Sequence, residues 1–371
     1  MTSVTPASAA GRDAVAVMRT DAPELDVPQL DVRALARRVA LPAGLVAVAA
    51  AVVLCSGRLG ELAHAFERAL SADWRWVAGA TGSELLSYAG YVALLWFVAG
   101  RATRRIDARR AVEVTLGGAA ATRLLPTAGV GGAALTLWSL RRAGMERREA
   151  ARTLLTFLVL LYAVFLGAIA ASGALIATGV IDSSGPVTLS AVPAAAAATG
   201  IGAALALGLH RRGAAGVAGE EAGRLRRGAR LLGDATADAL TLVRSTDPRL
   251  LGALAWWLFD ASVLWAMLSA FGGAPAVAVV ALAYFVGQVG NALPVPGAVS
   301  GGIFGVLVAF GVDADLALVS VLAYRAVAIW VPAPVGLLAL PSLRRTVARW
   351  ADEDAPDAAA QTRTRRACSA A

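Results

Sequence analysis

The sequence predicts an all-α polytopic membrane protein: six full transmembrane helices plus two opposed re-entrant hairpins, arranged as an inverted repeat. Counted with the hairpins, that is seven or eight apolar segments. Three observations predict it. The chain of 371 residues is 58% hydrophobic, against about 45–50% for a soluble domain, and its mean hydropathy is +0.65. Several of its apolar stretches approach or exceed the ~20 residues that cross a bilayer. Finally, arginines cluster between those stretches, and two further apolar stretches are broken by proline and glycine, one of them as NALPVPGAVSGG (291–302).

The net charge is +8, and the basic side chains are all arginine. Basic loops stay on the cytoplasmic side, so arginine orients each element in turn. Residues 1–38 are polar, read as a disordered tail, and end in the basic RALARR (33–38), which sets the N-terminus inside. The first span is 39–57, followed by a loop of mixed charge, 58–75, outside. The second span, 76–100, leads to RATRRIDARR (101–110) with five arginines, inside. Another five arginines lie in RRAGMERREAAR (141–152). Both flanks of 111–140 therefore belong to the cytoplasm, and Pro126 with its neighbouring glycines splits that segment into pieces too short to span. A re-entrant hairpin is the economical solution.

The third span is 153–178, and the arginine-free GVIDSSGP (179–186) is outside. The fourth span, 187–209, is followed by a basic stretch, 210–249. Apolar residues at helical spacing within it predict an amphipathic helix lying on the membrane surface. The fifth span, 250–271, ends outside at FGGAP. The last, 316–340, must run inward to reach RRTVAR (344–349), after which 342–371 reads as a second disordered cytoplasmic tail. Residues 276–311 then start and finish outside, as a second hairpin with NALPVPGAVSGG at its tip. The halves, 39–178 and 187–341, correspond with opposite orientation. LPTAG (125–129) echoes LPVPG (293–297), and GMERREA (144–150) echoes GVDADLA (311–317). Opposed repeats with broken helices mark transporter sites.

Backbone broken at membrane depth is tolerated where it is buried in protein or lines a polar cavity. Pro294 and Pro296 remove donors and stop the helix. Gly297, Gly301 and Gly305 recur every fourth residue, a spacing that predicts close approach by another helix. Exposed amides at such a tip suit an anionic group. The tips are Pro126 and Gly129 in the first hairpin and Pro294, Pro296, Gly297 and Gly301 in the second.

The chain resembles the transmembrane domain of lysylphosphatidylglycerol synthases and its stand-alone relatives, the flippase-like integral membrane proteins, over residues 35–345. The resemblance rests on LLPTAGVGGAALTLWSLRRAGM in the first half, and on LPVPGAVSGGIFGVLVAFGV and YRAVAIWVPAPVG in the second. It implies the lipid-translocating half without the soluble synthase half. The sequence departs from the family pattern twice. Ala298 stands where a second glycine is usual, and Ile303 and Phe304 stand where a glutamate is expected.

Ionisable residues at membrane depth are costly and mark function. Glu84, Arg123, Asp260 and Arg325 all fall there. Two acids and two arginines either pair to hold the bundle together or serve a site. In the second reading Arg123 and Arg325 bind a lipid phosphate, whose geometry guanidinium suits. Asp260 or Glu84 then holds the arginines or meets a cationic headgroup, and Gln288 and Asn291 add polar contacts. The tryptophans read as interfacial anchors.

Cys55 and Cys368 lie far apart, and His64 and His210 are isolated loop residues, so no metal site or cofactor is expected. Neither a nucleotide-binding loop nor a hydrolase motif is present. The expected function is binding or translocation of a phospholipid or lipid-linked headgroup across a bacterial plasma membrane, without enzymatic chemistry. The alternative is a secondary transporter of a small anionic solute or ion. The expected partners are anionic membrane lipids and a separately encoded lipid-modifying enzyme, not nucleic acid.

Overall fold

The computed structural model of the protein describes residues 73–124, 130–213, 224–292, 295 and 297–370. The expected first span, 39–57, lies outside them, as do Pro126, Gly129, Pro294 and Pro296. Among the described residues every regular element is a helix. In chain order they are α1 (Trp74–Ala102), α2 (Ala108–Leu124), α3 (Val130–Arg142), α4 (Arg147–Ala177), α5 (Val187–Gly213), α6 (Arg224–Val243), α7 (Leu251–Phe271), α8 (Val277–Gln288), α9 (Ala298–Ala309), α10 (Ala314–Trp330) and α11 (Pro332–Ala370). Short 3₁₀ turns, Pro248–Leu250 and Val289–Ala292, precede α7 and follow α8.

Five stretches are long and apolar enough to cross a bilayer: Trp74–Ala102, Arg147–Ala177, Val187–His210, Pro248–Phe271 and Ala314–Ala351. They coincide with the second to sixth expected spans. Two shorter apolar stretches, Val277–Ala292 and Ala298–Ala309, are the arms of the second hairpin.

Each hairpin closes where glycine meets glycine. A Cβ on Gly132 of α3 would lie 3.2 Å from the Gly118 carbonyl oxygen of α2, and one on Gly302 of α9 would lie 3.0 Å from Gly287 Cα of α8. Only arms without side chains at these points can pack so closely. The two hairpins also end alike. Met145 N donates to the Leu140 carbonyl at 3.3 Å, and Val312 N to the Leu307 carbonyl at 3.1 Å. Gly144 and Gly311 take the left-handed conformation at φ 89° and 82° in these turns, the helix-stop geometry that glycine allows. The echo between GMERREA and GVDADLA is thus one turn built twice.

The core of the bundle is an antiparallel crossing of α1 and α7. Gly90 and Gly252 let the two backbones meet where neither has room for a Cβ. Further along, Ser87 Oγ donates to the Trp256 carbonyl at 2.8 Å, and Trp76 meets Trp265 with ring centroids 5.3 Å apart. At the other end of this pair Arg249 lies over the rings of Trp96 and Phe97 and clasps Asp247, 2.7 Å at the closest. Those bonds hold the Asp247 carboxyl down at about 2.

Three expectations change. The last span is not one continuous helix: it breaks at Val331, and α10 packs on α7 while α11 packs on α2. Pro332 opens α11 without a backbone donor, which interrupts the ladder inherited from α10. Nor is 342–371 a disordered tail over the described residues, because α11 stays helical to Ala370. The residues Ala339, Leu343, Val347 and Trp350 are buried at helical spacing. Gly336 gives α11 room against the Leu116 carbonyl. Buried Glu113 of α2 accepts from Ser342 Oγ at 2.8 Å, from Thr346 Oγ1 at 2.9 Å and from Arg110 at 3.2 Å. Third, α6 packs one face against the bundle, while Leu232 and Val243 stay exposed. Ala235, Thr236 and Ala239 are buried, α6 packs on α4 and α5, and Arg152 holds Asp238 by two bonds of 2.5 and 2.6 Å.

Candidate functional site

The second hairpin brings three of the expected residues together. Asp260 is buried midway along α7. The Tyr284 hydroxyl of α8 donates to Asp260 Oδ2 at 2.5 Å, and the Tyr324 hydroxyl of α10 reaches the same oxygen at 3.4 Å. The Gln288 amide donates to the Tyr324 hydroxyl at 2.9 Å, and the Asn291 amide donates to Gln288 Oε1 at 2.6 Å. Polar contacts thus run from a buried carboxylate on α7 to the 3₁₀ turn at the end of the first hairpin arm. The shortest bond has the length of a hydroxyl donating to an ionised oxygen. A carboxylate removed from water needs such donors to remain there.

The helices place these groups by simple periodicity. Tyr284, Gln288 and Asn291 are spaced i, i+4 and i+7, so they share one face of α8 and its extension. Tyr324 lies on the α10 face that meets α7. Beyond Asn291 the chain turns through exposed Val295, and Gly297 enters α9 in the left-handed conformation at φ 82°. A side chain at that position would be strained. Of the tip residues in this hairpin, Gly297 and Gly301 are described.

The glycine spacing misled in one respect. Gly297, Gly301 and Gly305 meet nothing within 4 Å. The close approach instead uses Gly287, Gly290 and Gly302. The inner face of α9 is set by Val299, Gly302, Ile303 and Val306, so Gly301 and Gly305 are turned off it. Ile303, at one position where the resemblance led to a glutamate, is fully buried against Gly287. The crossing is apolar there.

The other charged candidates lie on α1, α10 and α2. Glu84 is buried on α1. It shares a face with Ser87 and Tyr88, both of which touch Trp256. The antiparallel register set by Gly90 with Gly252 and Ser87 with Trp256, continued by one turn, sets Glu84 level with Asp260. Arg325 is half-buried on α10, one residue after Tyr324 and so turned about 100° from it. It forms no ion pair with a described residue. Arg123 falls in the last turn of α2, beside the break of the first hairpin.

Trp256 and Trp257 are not interfacial anchors. Trp257 is buried, and its Nε1 donates to the Leu161 carbonyl at 2.8 Å. Its ring lies 4.9 Å from Phe165 and 6.4 Å from Tyr284, while Trp256 lies 4.8 Å from Tyr91. This aromatic wall walls off one side of Asp260. Trp74 and Trp330, both far more exposed than the other described tryptophans, suit a membrane boundary.

The sequence reading missed Tyr284 and Tyr324 as site groups, and Glu113 altogether. The i, i+4, i+7 polar spacing in an otherwise apolar arm was the available signal for Tyr284. Among the described residues no three His, Cys, Asp or Glu side chains are grouped to hold a metal. A comparison with curated proteins found no match. The family model described as Lysylphosphatidylglycerol synthase TM region matches residues 35–336. That match takes in α1 to α10, the first turn of α11 and the whole polar chain, and this multi-pass membrane protein belongs to the lysylphosphatidylglycerol synthase TM region family.

Proposed function

We propose that the protein binds a phospholipid or lipid-linked headgroup at the break of the second hairpin and moves it across a bacterial plasma membrane, with both termini in the cytoplasm. One observation carries this reading: the polar chain from Asp260 through Tyr284, Tyr324 and Gln288 to Asn291 leads from the bundle interior to that break. A polar path through apolar helices is costly unless it serves a polar passenger. The first turn of α9 adds backbone amides, which favour a phosphate. Arg325 and Arg123 are the guanidinium groups suited to hold that phosphate. The reading assigns the chain no bond-making step, so it is a transporter rather than an enzyme. Its partners are anionic membrane lipids and a separately encoded lipid-modifying enzyme.

The test is a flip assay in liposomes carrying fluorescent anionic, zwitterionic or lysyl-modified phospholipids, with leaflet access followed by quenching. Headgroup-selective flipping that Arg325→Gln abolishes, with the unfolding midpoint unchanged, is the expected result. Unchanged transport in Arg325→Gln removes that residue from the site. No flipping of any lipid, with flux of a small anion in the same vesicles, replaces the lipid reading by a solute transporter.

A further inference from the structure

The hydrogen bonds from Asn291 to Asp260 point one way. Tyr284 and Tyr324 donate to Asp260 Oδ2, Gln288 donates to Tyr324, and Asn291 donates to Gln288. Such a chain is polarised toward one terminal acceptor, and neighbouring bonds in it strengthen one another. Its far end, Asn291, is exposed at the 3₁₀ turn beside the break. A proton on the Asp260 carboxyl removes the charge that strengthens the bonds both phenols donate to it. As those bonds weaken, so does the tie that runs from Tyr324 through Gln288 to the turn holding Asn291.

We propose that Asp260 is a proton-binding site, and that loading it loosens the 3₁₀ turn Val289–Ala292 at the end of the first hairpin arm, so that passage through the site is coupled to a proton. The inference rests on the transport reading above and supplies its driving ion. The balance is simple. A proton from the aqueous phase at that turn binds Asp260 Oδ2 as a carboxylic acid and leaves when the carboxylate re-forms. Only an O–H bond is made and broken.

The groups facing Asp260 fit a proton better than a metal ion. From α1 come Glu84, level with it, and Tyr88; from α8 comes Tyr284; from α10 come Tyr324 and, turned aside, half-buried Arg325. From α4, Tyr162 and Phe165 face the neighbouring Trp257. Around the carboxylate the polar neighbours of known contact are hydroxyl donors, the partners of an anion and not the ligands of a cation.

The experiment reads that turn directly. A cysteine is placed at Ala292 in the full chain with Cys55 and Cys368 replaced by serine, in nanodiscs, and its labelling rate is followed as the pH falls from neutral to mildly acid. In the otherwise unaltered chain the rate rises by roughly tenfold to hundredfold, the range set by one hydrogen bond to a charged group. Asp260→Asn abolishes the pH response. Gln288→Leu, which keeps the carboxylate but cuts the chain, labels fast at every pH. Glu84→Gln shifts the midpoint and keeps the amplitude.

A rate independent of pH in the unaltered chain overturns the proposal. So does a response that survives Asp260→Asn, or one that Glu84→Gln abolishes. The same nanodisc readout separates the two readings. A proton-dependent turn in a protein that flips no lipid refutes the transport reading alone. Lipid flipping with a turn indifferent to pH refutes the proton site alone.

Discussion

The bond between Tyr284 and Asp260 should be the strongest interhelical hydrogen bond at the site, and its strength can be measured. It is 2.5 Å long and both partners are buried. Hydrogen bonds between membrane helices contribute about 0.6 kcal/mol on average and at most about 1.7 kcal/mol. A short bond to an ionised oxygen belongs at the upper end, about 1.5 kcal/mol. Tyr324 approaches the same oxygen at 3.4 Å, beyond the usual hydroxyl range of about 2.5–3.0 Å. Its coupling to Asp260 should fall below about 0.5 kcal/mol. The assay is a pair of double-mutant cycles, Tyr284→Phe and Tyr324→Phe each with Asp260→Ala, read by reversible unfolding in mixed micelles. The cycle cancels the cavity and desolvation effects of each single change. A Tyr284 coupling near zero, or one smaller than that of Tyr324, refutes the picture of a carboxylate held mainly from α8.

Other outcomes can be stated more briefly. Glu113→Ala leaves Arg110 and two hydroxyls without their acceptor and should destabilise the protein by about 2–4 kcal/mol. Limited trypsin digestion should then cut faster at Arg344 and Arg345, and an unchanged rate would mean that α11 is pinned elsewhere. Gly287→Ala drives a Cβ to 2.7 Å from Ile303 N and should cost about 1–3 kcal/mol by overpacking. Gly301→Ala, which meets nothing within 4 Å, should stay within about 0.5 kcal/mol in the same thermal melt. Cysteines placed singly at Gly144 and Asp313 should react with an impermeant reagent from opposite faces of sealed vesicles; labelling from one face would remove the inversion of the two halves.

The sequence by itself determined the number of the described spans and the approximate limits of all but the last, which breaks at Val331. Apolar length sets which helices cross a bilayer, and neither property depends on what a helix touches. It also located the second break, because Gly297 acts on its own backbone. The repeated turn at Gly144 and Gly311 was legible for the same reason, since a left-handed glycine closing a helix is a local device. Asp260, Gln288 and Asn291 stood out as polar residues at membrane depth.

Their union is a tertiary fact. Asp260 meets Tyr284 and Tyr324 across 24 and 64 residues of chain, and nothing in a single helix announces which face of its neighbour it will meet. Tyrosine hides this well, because a ring that packs like phenylalanine carries a hydroxyl whose role depends on the partner it finds. The glycines show the same limit: their fourfold spacing suggested one face, and packing chose the face turned by one residue. Packing also chose α2 as the partner of α11, joining Glu113 to Thr346 across 233 residues. Local backbone chemistry is written along the chain, whereas the pairing of faces is settled by the bundle as a whole, where close packing leaves room for only one fit.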